Sequence, residues 1–285
     1  MTDGVCRTMN DDPNNLPARV GASAIRHVMV RPGGTVLWRL WGDGGRPLVL
    51  LHGASGAWTH WVKCIPGLAG HSRVIAPDMP GFGMSELVPE AHTAEALAEL
   101  VAEGIEEVVP AEAPFDLAGF SFGGIIGTHV AARFGARVRN LVLLGPGGLG
   151  LPPSPMPVLS SVQPGMSAEE ERAVHRDNLR VLMIADPDKA DDLAVTLQME
   201  NLRHARFRSG RIPASDALVR MLPAVRARIV TIWGERDAFI AGHFEARRRV
   251  FAPFQSAADF HVIAGAGHWL PYEAPDEVNA ILRAR

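Results

Sequence analysis

Short apolar runs alternate with longer amphipathic segments along most of the chain. Residues 46–53 (RPLVLLHG) form an unbroken apolar run ending in glycine, which is typical of a strand buried on both faces of a parallel sheet. Residues 93–109 instead carry leucine, isoleucine and valine at near-helical spacing, with Thr93 placed to cap the N-terminus. This alternation predicts an α/β fold with a mainly parallel sheet covered by helices on both faces.

Other segments extend this pattern. Residues 27–42 predict two strands joined by a Pro-Gly-Gly turn, which is typical of a hairpin. Further strand-like runs lie at residues 71–81, 115–121, 138–148, 227–237 and 258–268. A helical pattern follows the run at 115–121 directly, from Ile125 to Phe134. The strands and helices therefore alternate on both sides of one central interruption.

The interruption runs from residue 149 to residue 226, where no strand-like run occurs. It begins with a proline-rich stretch, and Ser167 with Glu170 then matches a capping box that opens a helix ending near residue 184. Leucines between residues 193 and 202 indicate a second helix. We predict a helical cap inserted into the core.

The predicted organisation follows from these boundaries. The core comprises residues 21–148 and 227–285, the cap comprises residues 149–226, and residues 1–20, which are polar, form a flexible arm. A chain of 285 residues that is 47% hydrophobic is long enough to bury a large core.

Charge and cysteine usage exclude several classes of function. A formal net charge of −3, with 21% charged residues, argues against a nucleic-acid groove or a basic membrane surface. Cys6 and Cys64 are too few for a disulfide framework and lack the paired spacing of a zinc site. With no signal-peptide pattern and no apolar run of about 18 residues, we expect a cytoplasmic protein with a small-molecule substrate. The oligomeric state stays open, and a homodimer is one expectation.

One serine lies in a cluster of glycines at residues 116–127 (DLAGFSFGGIIG). Ser121 stands between Gly119 and Gly123, after a predicted strand and before a predicted helix. In this G-x-S-x-G arrangement, a sharp strand-to-helix turn exposes the serine hydroxyl, and the helix N-terminus supplies free N–H groups and a positive dipole. Ser121 is therefore the candidate nucleophile.

A serine nucleophile needs a base and an orienting carboxylate, which follow in the chain order serine, acid, histidine in such enzymes. Asp237 follows the apolar stretch RIVTIWG at the end of the run 227–237, and His268 follows a strand and a Gly-Ala-Gly turn near the C-terminus. Glu235 is an alternative acid. We prefer Asp237 because it lies further past the strand end, where a loop can turn toward the histidine.

The developing oxyanion would need hydrogen-bond donors. The backbone N–H of Phe122 follows the nucleophile directly, and the loop LLHGASGAW supplies a second donor, for which we choose the N–H of Ala54. His52 in this loop is expected to be structural, and Ser55 is a candidate substrate contact.

Several motifs together resemble one superfamily. They are LLHGASGAWTHW, APDMPGFGMSE, GFSFGG, WGERD and GAGHWLPYEAPDEVN, in this order. These motifs identify the sequence as a member of the α/β-hydrolase superfamily, in its capped serine branch. The resemblance implies an eight-stranded, mostly parallel sheet, a lid over roughly residues 149–226, and a triad of Ser121, His268 and Asp237 that works without a cofactor or a metal.

The reaction stays open at this point. We expect a carboxylesterase-like hydrolase whose pocket is largely hydrophobic, with Trp269 as one candidate wall. The pair His268–Trp269 is also similar to the carbon–carbon bond hydrolases of aromatic ring cleavage, which use a cap arginine to bind a substrate carboxylate, and Arg203 is a candidate for that role. A third possibility is a ligand-sensing member of the superfamily with slow turnover.

Overall fold

An eight-stranded sheet forms the centre of the computed structural model, which describes residues 12–152 and 155–285. The strands are β1 (Ile25–Arg31), β2 (Gly34–Trp41), β3 (Leu48–Leu51), β4 (Val74–Pro77), β5 (Phe115–Phe120), β6 (Val138–Leu144), β7 (Arg228–Gly234) and β8 (Phe260–Ile263). Their order in the sheet is β1-β2-β4-β3-β5-β6-β7-β8. β2 pairs antiparallel with β1 and with β4, and all other pairs are parallel. The predicted α/β architecture with a mostly parallel sheet of eight strands is confirmed.

Helices cover both faces of this sheet. They are α1 (Leu16–Ala22), α2 (Ile65–Ala69), α3 (Ala94–Val108), α4 (Phe122–Phe134), α5 (Ala168–Leu182), α6 (Asp192–Arg203), α7 (Phe244–Phe251), α8 (Leu270–Glu273) and α9 (Pro275–Arg283). The start of α3 agrees with its predicted cap, because the Thr93 hydroxyl accepts the backbone N–H of Ala96 at 3.1 Å.

The apolar run in β3 is explained by burial on both faces of the sheet. Val49 and Leu51 pack into a hydrophobic cluster on one face, and Leu48 and Leu50 pack into a second cluster on the other. All four side chains are fully buried. Because side chains alternate along a strand, a central strand between two helical layers has no polar positions.

The segment between β6 and β7 contains α5 and α6, and its described residues form no strand. The predicted capping box opens α5, where the Glu170 carboxylate accepts the backbone N–H of Ser167 at 2.7 Å and the Ser167 hydroxyl accepts that of Glu170 at 3.3 Å. Residues 149–226 are called the inserted segment below, and their assignment as a separate cap domain stays a prediction.

The N-terminal arm expected over residues 1–20 differs from what the structure shows for residues 12–20. Helix α1 begins at Leu16, Val20 is buried, and the indole N–H of Trp41 donates to the Val20 carbonyl at 2.7 Å. A single buried valine in a polar stretch gives too weak a periodicity for sequence analysis to detect. Cys6 lies outside the described residues, and Cys64 is a buried free thiol. Within the described ranges, no helix has both the length and the apolar character that crossing a membrane requires.

Candidate active site

Ser121 occupies a sharp turn between the end of β5 and the start of α4. Its backbone has φ +51° and ψ −113°, a conformation that costs a non-glycine residue about 1–3 kcal/mol. The flanking glycines are required by close contacts. A Cβ on Gly119 would lie 2.3 Å from the carbonyl oxygen of Gly123, and a Cβ on Gly123 would lie 2.5 Å from the carbonyl oxygen of Leu51. The turn therefore holds the serine in a strained position that only its glycine neighbours permit.

Ser121, His268 and Asp237 form a continuous chain of hydrogen bonds. The distance from Ser121 Oγ to His268 Nε2 is 3.0 Å, and the distance from His268 Nδ1 to Asp237 Oδ2 is 2.7 Å. With its proton on Nδ1, facing the carboxylate, the imidazole presents Nε2 as an acceptor for the serine hydroxyl. His268 and Asp237 are buried, with 3% and 1% of their surface exposed. This arrangement can move a proton from the serine to the histidine.

The topology of the sheet explains why these three side chains meet. Ser121 follows β5, Asp237 follows β7 and His268 follows β8, and these strands run parallel. The carboxyl ends of parallel strands lie at the same edge of the sheet. Glu235, the alternative acid, instead accepts the backbone N–H of Gly265 at 2.8 Å. This hydrogen bond links the loop after β7 to the loop after β8.

Glu273, which the sequence did not single out, supports the loop of His268. Its Oε2 accepts the backbone N–H of Gly267 at 2.7 Å. Its Oε1 accepts the N–H groups of Ala185 and Asp186, which belong to the inserted segment, at 3.0 and 2.7 Å. One buried carboxylate therefore connects the histidine loop to the inserted segment.

Two buried histidines organise the loop after β3. His52 Nδ1 lies 2.8 Å from the carbonyl oxygen of Gly53, and its Nε2 accepts the N–H of Met79 at 2.9 Å, which is the structural role that the sequence predicts. His60, which sequence analysis missed, accepts the N–H of Gly53 on Nδ1 at 3.1 Å. Burial lowers the pKa of His52 to about 4 and holds the pKa of His60 well below its usual value, so both imidazoles are neutral near pH 7.

The two predicted oxyanion donors border the serine turn and this loop. Phe122 is the first residue of α4, and Ala54 directly follows Gly53. Neither backbone N–H donates to another described residue. Both N–H groups are therefore free to donate, and both lie at the ends of well-fixed segments. Their role with substrate stays a prediction.

A cavity of about 290 Å³ opens at Ser121 and His268. Its walls come from the loop after β6, the inserted segment and the loop of Asp237. The lining residues are Ser121, Gly145, Pro146, Gly147, Gly148, Leu149, Gly150, Leu151, Pro152, Met156, Pro213, Ala214, Ser215, Phe239, Ile240, Arg247 and His268. The ring of Phe239 packs on His268 with a centroid distance of 4.3 Å. The pocket is largely apolar and has one arginine, Arg247, in its wall.

The predicted substrate contacts lie outside the lining of this cavity. Trp269 requires a correction, because it is fully buried, its indole N–H donates to the His60 carbonyl at 3.0 Å, and it packs on Tyr272 as part of the core. Arg203 also requires one, because it is the exposed last residue of α6 and does not reach the cavity. Ser55, half-buried with φ +49°, is near Ala54 in sequence, and its contact with substrate stays a prediction.

The sheet topology and the strand-to-helix turn define an α/β protein with a serine at the carboxyl edge of its parallel strands, hydrogen-bonded to a histidine. A model described as the alpha/beta hydrolase family matches residues 48–281, and the chain belongs to this family.

The proteins that this chain resembles carry names that state different activities. The chain is 31% identical over 258 residues to a dihydrolipoyllysine-residue acetyltransferase component of an acetoin cleaving system from Pseudomonas putida, with 87% of this chain covered. It spans 65% of that relative's length. It is 30% identical over 247 residues to a 2-hydroxy-6-oxo-2,4-heptadienoate hydrolase from Pseudomonas putida, covering 80% of this chain and 84% of the relative. The structure of carboxylesterase CesB from Bacillus subtilis matches with a TM-score of 0.71 at 16% identity, covering 94% of this chain and 93% of the other. That last likeness concerns the fold alone.

Proposed function

We propose that this protein is a serine hydrolase that cleaves an ester-like carbonyl of a small, largely hydrophobic substrate. The observation that carries the proposal is the hydrogen-bonded series from Ser121 Oγ through His268 to Asp237, with distances of 3.0 and 2.7 Å. The strained turn at Ser121 and the apolar cavity beside it add support. These are the components that acyl transfer through a covalent intermediate requires.

The reaction would proceed in two halves. In the first, His268 Nε2 takes the hydroxyl proton as Ser121 Oγ attacks the carbonyl carbon, and the same proton passes to the leaving alkoxide when the tetrahedral intermediate collapses. In the second half, His268 takes a proton from water as its oxygen attacks the acyl carbon, and it returns that proton to Ser121 Oγ when the tetrahedral intermediate collapses and the acid is released. Asp237 keeps the imidazole in the tautomer that both halves need. The chemistry uses no cofactor.

The backbone N–H groups of Ala54 and Phe122 would stabilise the oxyanion in both halves. Each fixed donor of this kind contributes about 3 kcal/mol to transition-state stabilisation. His60 and His52 hold the loop of Ala54 in place through neutral hydrogen bonds, so the position of this donor does not depend on a titrating group near pH 7.

The experiment that tests this function is steady-state hydrolysis of p-nitrophenyl esters of graded acyl length. We expect turnover by the wild-type protein and a loss of at least about a thousandfold in Ser121→Ala. The matched control is Ser256→Ala, because Ser256 lies at the far end of the fold before β8 and outside the cavity. Turnover that survives Ser121→Ala would refute the assignment of the nucleophile.

A second candidate is hydrolysis of a carbon–carbon bond next to a ketone. The 30% identity to a 2-hydroxy-6-oxo-2,4-heptadienoate hydrolase favours it. A vinylogous diketo acid assayed beside the esters separates the two reactions, since fast cleavage of the diketo acid with slow ester turnover would select this candidate. Slow or single turnover with tight binding of both would select the ligand-sensing alternative. The cytoplasmic location and a homodimeric state stay predictions of the sequence.

A further inference from the structure

Arg247 places a positive charge in the wall of a largely apolar pocket. It lies on α7, is 7% exposed, and lines the same cavity as Ser121 and His268. Apart from these three residues, the described lining consists of glycine, proline, aliphatic side chains, Phe239 and the neutral Ser215. Its neighbours Arg248 and Arg249 on the same helix are exposed. One arginine of a run of three is therefore turned inward, beside the reacting groups.

The hydrogen bonds of Arg247 leave part of its guanidinium unused. Nη1 donates to the carbonyl oxygen of His243 at 2.8 Å, and Nη2 donates more weakly to that of Phe239 at 3.4 Å. Nε is buried and has no hydrogen-bond partner among the described residues. A guanidinium has five N–H donors, so two carbonyl contacts fix its position without satisfying it.

Among the residues that the structure describes, no carboxylate contacts the Arg247 guanidinium directly. Among the described residues, Arg247 forms no ion pair, in contrast to Arg39, which is also buried and pairs with Asp78 at 2.9 Å. Asp237 acts on Arg247 only through space, and its two oxygens are occupied by His268 and by the N–H of Phe239. Burial without a paired anion is unfavourable for a cation. Burial also lowers the pKa of Arg247, although arginine stays charged near pH 7.

We propose that Arg247 binds an anionic group of the substrate, a carboxylate carried on the same molecule as the scissile carbonyl. A guanidinium that lines the cavity and has spare donors matches a carboxylate in charge and in planar geometry. The substrate class is then a half-ester of a dicarboxylic acid or an analogous acyl compound with a free carboxylate, its chain lying along the apolar wall. This inference rests on the proposed function and adds the charge of the substrate to it.

The test compares two substrates that differ at one carboxyl group, which is free and charged in one and methylated and neutral in the other. They are the p-nitrophenyl esters of adipic acid with a free carboxylate and with a methyl-blocked carboxylate, with succinate and glutarate pairs to find the spacing. We expect the wild type to prefer the free carboxylate. In Arg247→Met, the ratio of kcat/KM between the charged and blocked esters should fall about tenfold or more. Arg247→Lys should restore part of the ratio, and Arg249→Met, which removes an exposed charge from the same helix, should leave it unchanged.

A binding measurement separates this inference from the proposed reaction. Monomethyl adipate should bind Ser121→Ala about tenfold more tightly than it binds Ser121→Ala with Arg247→Met, by calorimetry and without turnover. The inference is overturned if Arg247→Met lowers kcat/KM by the same factor for both esters and leaves the binding of monomethyl adipate unchanged. Arg247 would then only hold the loop of Asp237. If no ester is turned over but the binding difference is present, the proposed reaction fails and the anion site stands.

Discussion

The carboxylate of Glu273 accepts the backbone N–H of Gly267 at 2.7 Å, immediately before His268 in the chain. Its other oxygen accepts two N–H groups of the inserted segment, those of Ala185 and Asp186. The backbone N–H of Trp269 also donates to the carbonyl of Met183 at 2.7 Å. The histidine loop and the inserted segment are therefore fixed by the same few hydrogen bonds, and a change at Glu273 should affect both.

The substitution Glu273→Gln tests this link. Glutamine keeps one acceptor oxygen and replaces the other with an NH₂ group. Whichever way the amide lies, either the N–H of Gly267 or the N–H groups of Ala185 and Asp186 lose their acceptor. We expect the free energy of unfolding to fall by about 1–3 kcal/mol, because a buried donor loses its acceptor. Ester turnover should fall as well, because His268 loses support. Urea unfolding and kcat measure the two effects. Glu277→Gln, at an exposed position of α9, is the control, and equal behaviour of the two variants would contradict the role of Glu273.

His60→Ala is expected to weaken the loop of Ala54. The N–H of Gly53 would lose its acceptor in a buried setting, which costs about 1–3 kcal/mol of stability. If Ala54 is an oxyanion donor, kcat should also fall while KM changes little, since the donor acts mainly in the transition state. The control is His71→Ala at an exposed position. An unchanged kcat in a folded His60→Ala protein would argue against Ala54 as a donor.

Gly123→Ala should disrupt the serine turn. The added Cβ would lie 2.5 Å from the carbonyl oxygens of Leu51 and His52, which are backbone atoms that cannot move aside. We expect the free energy of unfolding to fall by about 3 kcal/mol, the upper end of the usual cost of overpacking, or the protein to be insoluble. Gly127→Ala is a matched control on α4, where the nearest atom, Leu117 Cδ2, lies 3.6 Å from the new Cβ. That variant should be stabilised by up to about 1 kcal/mol because alanine favours helix. Equal effects at both glycines would refute the steric argument.

Stability should fall in mild acid because of His52. Its pKa is about 4 in the folded protein and about 6.5 when unfolded, so below pH 6.5 the unfolded state binds a proton that the folded state does not. The contribution of His52 is complete above pH 6.5 and is lost as the pH falls toward 4. Between pH 7 and pH 5, this loss amounts to about 2 kcal/mol. Urea unfolding at both pH values should show a smaller acid-induced loss in His52→Gln, and identical losses would contradict the assignment.

The strands and the meeting of Ser121, His268 and Asp237 could be predicted from the sequence because each has a local signal. Buried parallel strands are continuous apolar runs, as in β3, and Asp237 lies three residues past the end of the buried strand β7. His268 follows the shorter edge strand β8 and a glycine-containing turn. The chain order then limits the choice of partners for Ser121. Residues that follow parallel strands lie at the same edge of the sheet. A correct prediction of the topology therefore brings these three residues together without further information.

The supporting residues could not be predicted because their role depends on packing between distant segments. The residues around Trp269 in the sequence do not distinguish a pocket wall from a core position. The structure places Trp269 in the core. Arg247 is the second of four residues in the stretch ARRR, and only the orientation of α7 decides which arginine faces the cavity. Glu273 acts on residues 88 positions away in the chain, a distance at which spacing gives no signal.

The glycines that form one wall of the cavity limit how this pocket can change. A methyl group on Gly145 would lie 3.1 Å from the His268 ring, and methyl groups on Gly147 and Gly148 would lie 3.0 Å from backbone atoms of Pro213 and Leu218. This side of the cavity therefore cannot be narrowed without moving the base or the inserted segment. Substitutions that change the shape of the cavity are therefore expected at lining positions that already carry a side chain, such as Met156 and Ile240. The side of the cavity nearest His268 is thus the one whose shape is set by backbone contacts, and a change there would disturb the hydrogen bonds of His268 as well.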